Sequence, residues 1–171
     1  GFTIYDQQDS QALIRECLRK DFAGHGDMED KIRWQISAWK NAFISPESAL
    51  QQATDTHEYN ADQLYLKYDH YLRTYNAVDF DDLISLPAHL FNEDHSSLLA
   101  WRERIRYLLV DEYQDLNEAQ YRFFRALAGP GAEILVIGDP HQAIYGFRGA
   151  SREYFLQFEQ DFPTAKTIHL N

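Results

Sequence analysis

Two short apolar runs in this chain each end at acidic residues, the side chains that bind metal ions and take protons from water. Residues 107–110 lead into Asp111 and Glu112, and residues 134–137 lead, after one glycine, into Asp139. Carboxylate oxygens are ligands that Mg²⁺ prefers, and a positioned carboxylate can act as a general base. Both acidic ends are therefore candidates for metal binding or catalysis, although such residues can also simply end a strand.

The two runs are predicted to be neighbouring parallel strands. Short runs rich in branched residues are typical of strands buried on both faces, as in a parallel sheet. Between them, residues 117–127 have a helical pattern, with Asn117 as the N-cap and Gly129 just after the end. A strand, a helix and a strand form a right-handed crossover, so the carboxyl ends of both strands share the edge where open α/β sheets bind ligands. Four polar residues are expected to gather at this edge: Asp111, Glu112, Asp139 and Gln142.

Sequence motifs at these positions resemble a known enzyme family. The segment DEYQD (111–115), followed by GDPHQAIYGFRGA (138–150), is similar to motifs II and III of the UvrD/Rep-like superfamily of DNA helicases, and most similar to its Rep-like members. The segments NAVDFDDLI (76–84) and GFTIYDQQDSQALI (1–14) resemble the same family. The resemblance therefore covers essentially the whole chain, and the order and spacing of two long motifs make it specific.

The resemblance implies an α/β fold with two parts. Residues 1–76 would form an all-helical insertion subdomain, and residues 77–171 would form the C-terminal part of a RecA-like (P-loop NTPase) motor domain with a parallel sheet. The phosphate-binding pattern G-x-x-x-x-G-K-[ST] occurs nowhere in the chain. In the family this loop lies upstream of the position that corresponds to Gly1. We therefore expect the isolated chain to be inactive and to need the missing motor segments of the same protein.

The resemblance also implies roles for residues at an ATP site. Asp111 would hold the Mg²⁺ of ATP, Glu112 would activate the attacking water, and Gln142 would contact the γ-phosphate. ATP and Mg²⁺ are thus the expected cofactors. Three further residues would couple motif II to motif III through hydrogen bonds: Gln114, Asp115 and Asp139.

Motif III further implies contacts with DNA. Tyr145 and Phe147 resemble an aromatic pair whose second member, usually tryptophan, stacks on a base of single-stranded DNA. Phenylalanine preserves stacking with less ring surface, and burial under the sheet is the alternative for both residues. Arg148 would either pair with a carboxylate of the nucleotide site or contact DNA. Single-stranded DNA and duplex junctions are therefore the expected partners.

The composition is that of an ordinary globular chain and excludes several protein classes. Its 171 residues are 44% hydrophobic and 25% charged, and no apolar run approaches a membrane span, so no membrane partner is expected. The single cysteine, Cys17, excludes an internal disulfide and fits the cytoplasm, where we expect the protein to act. The net charge of −11 argues that this chain alone binds DNA poorly, because nonspecific binding depends on basic surface.

Helical patterns account for most of the remaining chain. Helices are predicted over residues 29–43, 47–53 and 59–76, and further helices should begin at Asp9 or Ser10 and at Ser96 or Ser97. Three carboxylates, within residues 79–82, open another helix and complement its dipole. A metal site at these carboxylates is a less favoured alternative.

Two prolines should limit helices in the second half of the chain. Pro87 is expected to kink or end the helix that follows residues 79–82. After motif III, Ser151 would cap a helix that ends before Pro163. Residues 166–170 are predicted to form a last strand.

The favoured function is part of an ATP-dependent DNA helicase, and the resemblance implies movement from 3′ to 5′ along one DNA strand. Two alternatives stay open. The chain could be the motor part of a helicase-nuclease subunit, which carries the same motifs. It could also be a truncated, non-enzymatic binding module, which a phosphate loop encoded upstream would exclude.

Overall fold

Eight α-helices and four short strands make up the regular structure of the described residues. The computed structural model describes residues 1–21, 29–52, 56–142 and 152–169. The helices are α1 (Gln7–Asp21), α2 (Glu29–Asn41), α3 (Pro46–Gln52), α4 (Thr56–Thr74), α5 (Asp82–Glu93), α6 (His95–Arg102), α7 (Glu118–Leu127) and α8 (Arg152–Asp161). The strands are β1 (Thr3–Ile4), β2 (Ala77–Val78), β3 (Tyr107–Val110) and β4 (Glu133–Val136).

The strands pair in parallel as two separate two-stranded sheets within the described ranges. In one, β3 pairs with β4 with Tyr107 opposite Glu133, so the predicted parallel pairing of the two apolar runs is confirmed. In the other, β1 pairs with β2, and the Thr3 N–H donates to the Asn76 carbonyl at 3.0 Å. β1 is the short extended entry to residues 1–76, and the assignment of this segment to an insertion subdomain stays a prediction.

The β3–β4 sheet is covered on one face only, which corrects the prediction of strands buried on both faces. Leu108 packs against a core cluster contributed by α5, α6 and α7. On the opposite face, Tyr107 and Leu109 are 67% and 68% exposed, and Leu135 and Ile137 are each 52% exposed. Side chains alternate between the faces of a strand, and the described residues leave this second face bare.

A larger core joins the first four helices and β2. Its buried members come mainly from α1, α2 and α4: Leu13, Ile14, Cys17, Leu18, Ile32, Ile36, Leu64, Tyr65, Tyr68 and Leu72. Full burial of one such aliphatic side chain contributes about 1.5–3 kcal/mol. Cys17 is therefore a small core residue, as predicted, and Tyr65, Tyr68 and Tyr71 of α4 are packing residues.

Aspartates just upstream begin two helices, in place of the predicted caps. Asp6 accepts hydrogen bonds from two amides of the first turn of α1, at 2.7 and 2.9 Å. Asp94 accepts from the N–H groups of Ser96 and Ser97 at the start of α6. Hydrogen bonds from the Ser97 and Ser96 hydroxyls lower the pKa of Asp94 to about 2. One carboxylate can accept hydrogen bonds from two free amides, and its negative charge interacts favourably with the positive end of the helix dipole.

Pro87 lies inside α5, which continues to Glu93, so of the two expected outcomes the helix does not end at this proline, and a kink there stays a prediction. The missing N–H of Pro87 would leave the carbonyl of Leu83, four residues earlier, without its helical partner. Leu83 is exposed, so that carbonyl can bond to water instead.

The C-terminal predictions are partly wrong. The helix before Pro163 is present as α8, whereas Ser151 lies outside the described residues. Residues 166–169 form no strand, and Ile168 is 81% exposed, so the predicted last strand is absent from this described stretch. No helix in the described part of the chain is both long and apolar enough to cross a membrane.

Candidate functional site

The two acidic strand ends lie side by side, as predicted. The parallel ladder continues beyond the strands, because the Ile137 N–H donates to the Val110 carbonyl at 2.8 Å and the Tyr113 N–H donates to the Ile137 carbonyl at 3.0 Å. The residues that follow each strand therefore share one edge of the sheet. A 3-10 turn follows each strand end, over Tyr113–Asp115 and over Pro140–Gln142.

Asp111 presents an exposed carboxylate at this edge. Its Oδ1 accepts the N–H of Glu112 at 2.9 Å, which holds the carboxylate against the turn. Among the described residues, no group of three or more His, Cys, Asp or Glu side chains could hold a metal ion. Mg²⁺ at a phosphate site needs only one or two protein carboxylates beside water and phosphate oxygens. A single carboxylate at Asp111 fits that requirement.

Glu112 makes the sharp turn out of β3. Its backbone is left-handed, with φ 52° and ψ 40°, an uncommon conformation for a residue with a side chain. The turn brings its carboxylate to Gln114, whose Nε2 donates to Glu112 Oε2 at 2.6 Å. One carboxylate oxygen of Glu112 is thus held by an amide, and the side chain remains exposed to solvent.

Gln114 joins the ends of the two strands. Its side chain is 1% exposed, and its Oε1 accepts the Asp139 N–H at 3.0 Å while its Nε2 binds Glu112. Gly138 lets the two strand ends approach this closely, because a Cβ at that position would lie 2.7 Å from Gln114 Oε1. A buried amide with both of its polar atoms bonded has one stable orientation.

Asp139 extends the connection to Gln142. Its Oδ1 accepts the His141 N–H at 2.9 Å, and its Oδ2 accepts Gln142 Nε2 at 2.9 Å. These two hydrogen bonds lower the pKa of Asp139. Glu112, Gln114, Asp139 and Gln142 are therefore linked by consecutive hydrogen bonds, here called the edge chain.

The remaining predicted site residues are not part of the edge chain. The Oδ1 atom of Asp115 is buried and has no hydrogen-bond partner among the residues that the structure describes. Its predicted role in coupling stays a prediction. Tyr145, Phe147 and Arg148 lie outside the described residues, so their contacts with DNA or nucleotide stay predictions as well.

A buried ion cluster, which the sequence analysis missed, lies at the start of α5. Lys40 Nζ is 2.7 Å from Asp79 Oδ2 and 2.7 Å from Asp82 Oδ1, and the Tyr68 hydroxyl donates to Asp79 Oδ2 at 3.0 Å. The carboxylates of Asp79 and Asp82 thus neutralise the charge of Lys40, in addition to lying at the start of α5. One signal was available: Lys40 continues the four-residue spacing of Ile32 and Ile36, the buried stripe of α2.

Burial opposes charge on every member of this cluster, and the charges of the partners outweigh it for Lys40 and Asp79 but not for Asp82. Burial favours the neutral form of Lys40, yet the two carboxylates outweigh it and raise the pKa of Lys40. Burial also opposes ionisation of Asp79, but the charge of Lys40 outweighs it and lowers the pKa of Asp79. For Asp82, burial dominates and the negative charge of Asp79 adds to it, which raises the pKa of Asp82 to about 6.

Phe43 makes a second contact between residues 1–76, here called the helical segment, and the later helices. Its ring stacks on His89 of α5, with centroids 3.8 Å apart, and the Arg122 guanidinium of α7 lies 4.6 Å from its centroid. Phe43 has a φ of 60°, so its backbone is also left-handed. Burial of the imidazole lowers the pKa of His89. Sequence offered no signal for this contact, since the predicted helix ran through Phe43 whereas α2 ends at Asn41.

Comparisons with known proteins identify the family. Residues 1–163 match the family model of the UvrD/REP helicase N-terminal domain. Over 99% of its length, the chain is 34% identical to the ATP-dependent DNA helicase Rep of Buchnera aphidicola subsp. Acyrthosiphon pisum and covers 26% of it. Again over 99% of its length, the chain is 37% identical to Rep of Escherichia coli K12 and covers 25% of that protein. It is 38% identical to the ATP-dependent DNA helicase PcrA of Staphylococcus epidermidis RP62A, also over 99% of its length, and covers 24% of that protein. The chain thus spans about a quarter of these relatives' length, and it belongs to the UvrD/REP helicase N-terminal domain family.

Proposed function

We propose that the chain is part of an ATP-dependent DNA helicase that moves from 3′ to 5′ along single-stranded DNA and unwinds duplex DNA. The observation that carries this proposal is the edge chain, which links a carboxylate suited to water activation with an amide suited to phosphate contact. Family membership supports the reaction class, because the relatives named above are called ATP-dependent DNA helicases.

In this proposal, three residues have separate roles at the ATP site. Asp111 holds Mg²⁺, which when bound neutralises charge on the phosphates. Glu112 orients or deprotonates the attacking water, using the oxygen that Gln114 does not occupy. Gln142 contacts the γ-phosphate without titrating, and Arg148 is a further candidate for nucleotide contact.

The edge chain would also couple ATP to DNA. Gln142 stands three positions before Tyr145 in the sequence. Together, Tyr145, Phe147 and Arg148 form the proposed contact with single-stranded DNA and duplex junctions. Loss of the γ-phosphate would release Gln142 and shift the hydrogen bonds through Asp139. Asp115, with its buried oxygen, is proposed to join this coupling through motif III.

The architecture and the site of action complete the proposal. Residues 77–171 are proposed to be the later part of a RecA-like motor domain, residues 1–76 an insertion subdomain, and the cytoplasm the site of action. The chain itself contains no G-x-x-x-x-G-K-[ST] pattern to bind the phosphates. By itself it should therefore release no phosphate from ATP, and the missing motor segments should supply that loop.

The test of the function uses the full-length protein that contains this chain. With ATP and Mg²⁺, a labelled duplex that carries a 3′ single-stranded tail should be unwound, and a matched duplex with a 5′ tail should stay intact. The 171-residue chain alone should release no phosphate under the same conditions. Unwinding from the 5′ tail, or DNA-stimulated turnover by the chain alone, would contradict the proposal.

The same experiment separates the two alternatives. A helicase-nuclease subunit would shorten the labelled strands in addition to separating them. A non-enzymatic binding module would bind the tailed duplex and leave both strands paired, with or without ATP.

Gln114 should control turnover through its hydrogen bond to Glu112. Gln114→Met in the full-length protein keeps the volume of the side chain and removes both hydrogen bonds. We expect kcat for ATP hydrolysis to fall about 10- to 100-fold, because small misplacement of a catalytic group has costs of this size. The KM for ATP should change little, and steady-state phosphate release measures both constants.

Gln114→Glu is the matched variant for this test. The new carboxyl group can still accept the Asp139 N–H, but when ionised it repels the Glu112 carboxylate. When protonated it can donate to Glu112, so the deficit relative to wild type should shrink as the pH is lowered. A deficit in Gln114→Glu that is independent of pH would show that the bond to Glu112 does not matter.

A further inference from the structure

Asn41, the last residue of α2, connects the starts of two later helices. Its Nδ2 donates to the Ser37 carbonyl at 2.9 Å and to Asp81 Oδ1, just before α5, at 3.1 Å. Its Oδ1 accepts Nδ2 of Asn117, just before α7, at 2.7 Å. One side chain of the helical segment thus holds a residue that lies 76 positions later in the chain.

The orientation of the Asn41 amide is determined by its partners. A carbonyl and a carboxylate can only accept hydrogen bonds, so the NH₂ group must face Ser37 and Asp81. The oxygen of Asn41 must then face Asn117. An acceptor is therefore fixed in place for the Asn117 side chain.

Asn117 uses its other polar atoms to begin α7. Its Oδ1 accepts the Gln120 N–H at 2.9 Å, and its own N–H donates to Gln120 Oε1 at 3.1 Å, which is a capping box. Nδ2 is then the only donor that the side chain has left, and it binds Asn41. Asn117 is 7% exposed, so loss of that partner would leave a buried donor unpaired.

Asn117 is also the far end of the loop that carries Glu112, here called the 111–117 loop. At its near end the loop leaves β3, and inside it the Asp115 N–H donates to the Glu112 carbonyl at 2.9 Å. The completely buried Tyr113 ring packs edge-on against Phe124 of α7 and Phe158 of α8, so a displacement of the start of α7 also displaces Tyr113, the residue next to Glu112. A shift of Asn117 is therefore transmitted toward the backbone of Glu112.

We propose that Asn41 is a positioning residue for Glu112, acting through Asn117 and the 111–117 loop. By holding the far end of the loop, the helical segment sets the position of the carboxylate that activates water. This inference rests on the proposed function, and it adds that the end of α2 controls the hydrolysis step rather than the binding of ATP.

The test uses two variants that remove the Asn41–Asn117 hydrogen bond from opposite sides in the full-length protein. Asn117→Ser keeps a preferred N-cap oxygen and loses the amide donor, and Asn41→Ala loses the acceptor. Each should lower kcat for ATP hydrolysis about tenfold, with the KM for ATP changed less than about twofold. The double variant should be no slower than the slower single variant, because both remove the same interaction. Hydrogen exchange of the amides in the 111–117 loop should be faster in each variant.

Gln120→Ala is the control, since it removes one capping hydrogen bond from Asn117 and leaves the bond to Asn41. Its kcat should stay close to wild type. Wild-type kcat in Asn41→Ala and Asn117→Ser, additive losses in the double variant, or an equal loss in Gln120→Ala would each overturn the proposal. If Glu112→Gln hydrolyses ATP as fast as wild type, the proposed function fails and this inference fails with it. If turnover needs Glu112 but not Asn41, only this inference fails.

Discussion

Replacement of Lys40 by methionine is expected to destabilise the chain by about 3–5 kcal/mol at pH 7, because breaking a buried ion pair leaves uncompensated charge. Methionine keeps much of the length of the side chain but removes the ammonium group that lies 2.7 Å from both Asp79 and Asp82. Two buried carboxylates would then face each other without a counter-ion. Chemical denaturation of wild type and variant, compared at the transition midpoint, measures the loss.

Asp82→Asn is the matched control for Lys40→Met. It leaves a balanced pair of Lys40 and Asp79, so its cost at pH 7 should be clearly smaller than that of Lys40→Met. Because burial raises the folded-state pKa of Asp82 to about 6, above its ordinary 3.8, protonation of Asp82 stabilises the fold. That contribution is fully present below about pH 4 and is lost as the pH rises toward 6. Asp82→Asn should flatten this part of the stability profile, and equal costs for both variants would refute the charge argument.

Glu112→Gln in the full-length protein is expected to lower kcat for ATP hydrolysis by at least about 100-fold while nucleotide binding is retained. Glutamine can still accept the hydrogen bond from Gln114 Nε2, so the turn should keep its shape. What is lost is the negative charge that is proposed to orient or deprotonate water. Phosphate release measures turnover, and titration with a fluorescent nucleotide measures binding.

Asp111→Asn is the companion to this variant and should behave differently. Removal of the exposed carboxylate proposed to hold Mg²⁺ should weaken nucleotide binding in the presence of Mg²⁺ and have little effect in its absence. If Glu112→Gln and Asp111→Asn lose binding equally, the proposed division of roles is wrong.

The residues at the carboxyl-end edge of the β3–β4 sheet could be predicted because the sequence patterns that place them involve residues close together in the chain. The apolar runs end at their acids within one or two residues, and Asn117 caps α7 with a partner only three residues away. The crossover rule then places both strand ends on one edge. These local patterns are enough to predict that Glu112, Asp139 and Gln142 lie together.

The contacts that join the helical segment to the rest could not be predicted in this way. Lys40 meets Asp79 across 39 residues and Asn41 meets Asn117 across 76, and no local pattern specifies such pairs. The spacing of Lys40 with Ile32 and Ile36 in α2 indicates that Lys40 is buried, and a buried ammonium group needs an acidic partner. The sequence does not specify which of several carboxylates is that partner. The bare face of β3 and β4 was missed for the same reason, because apolar strand residues do not reveal what covers them.

With the proposed role of Glu112 in hydrolysis, its left-handed backbone places selection for stability in conflict with selection for catalysis. A residue with a side chain pays roughly 1–2 kcal/mol in this conformation, whereas glycine adopts it freely. A library of variants sorted only for resistance to unfolding should therefore enrich glycine at position 112. The same library sorted for growth that depends on the full-length protein should reject glycine, since glycine lacks the carboxylate that is proposed to act on water. The strained turn would then persist in the lineage only as long as hydrolysis is needed.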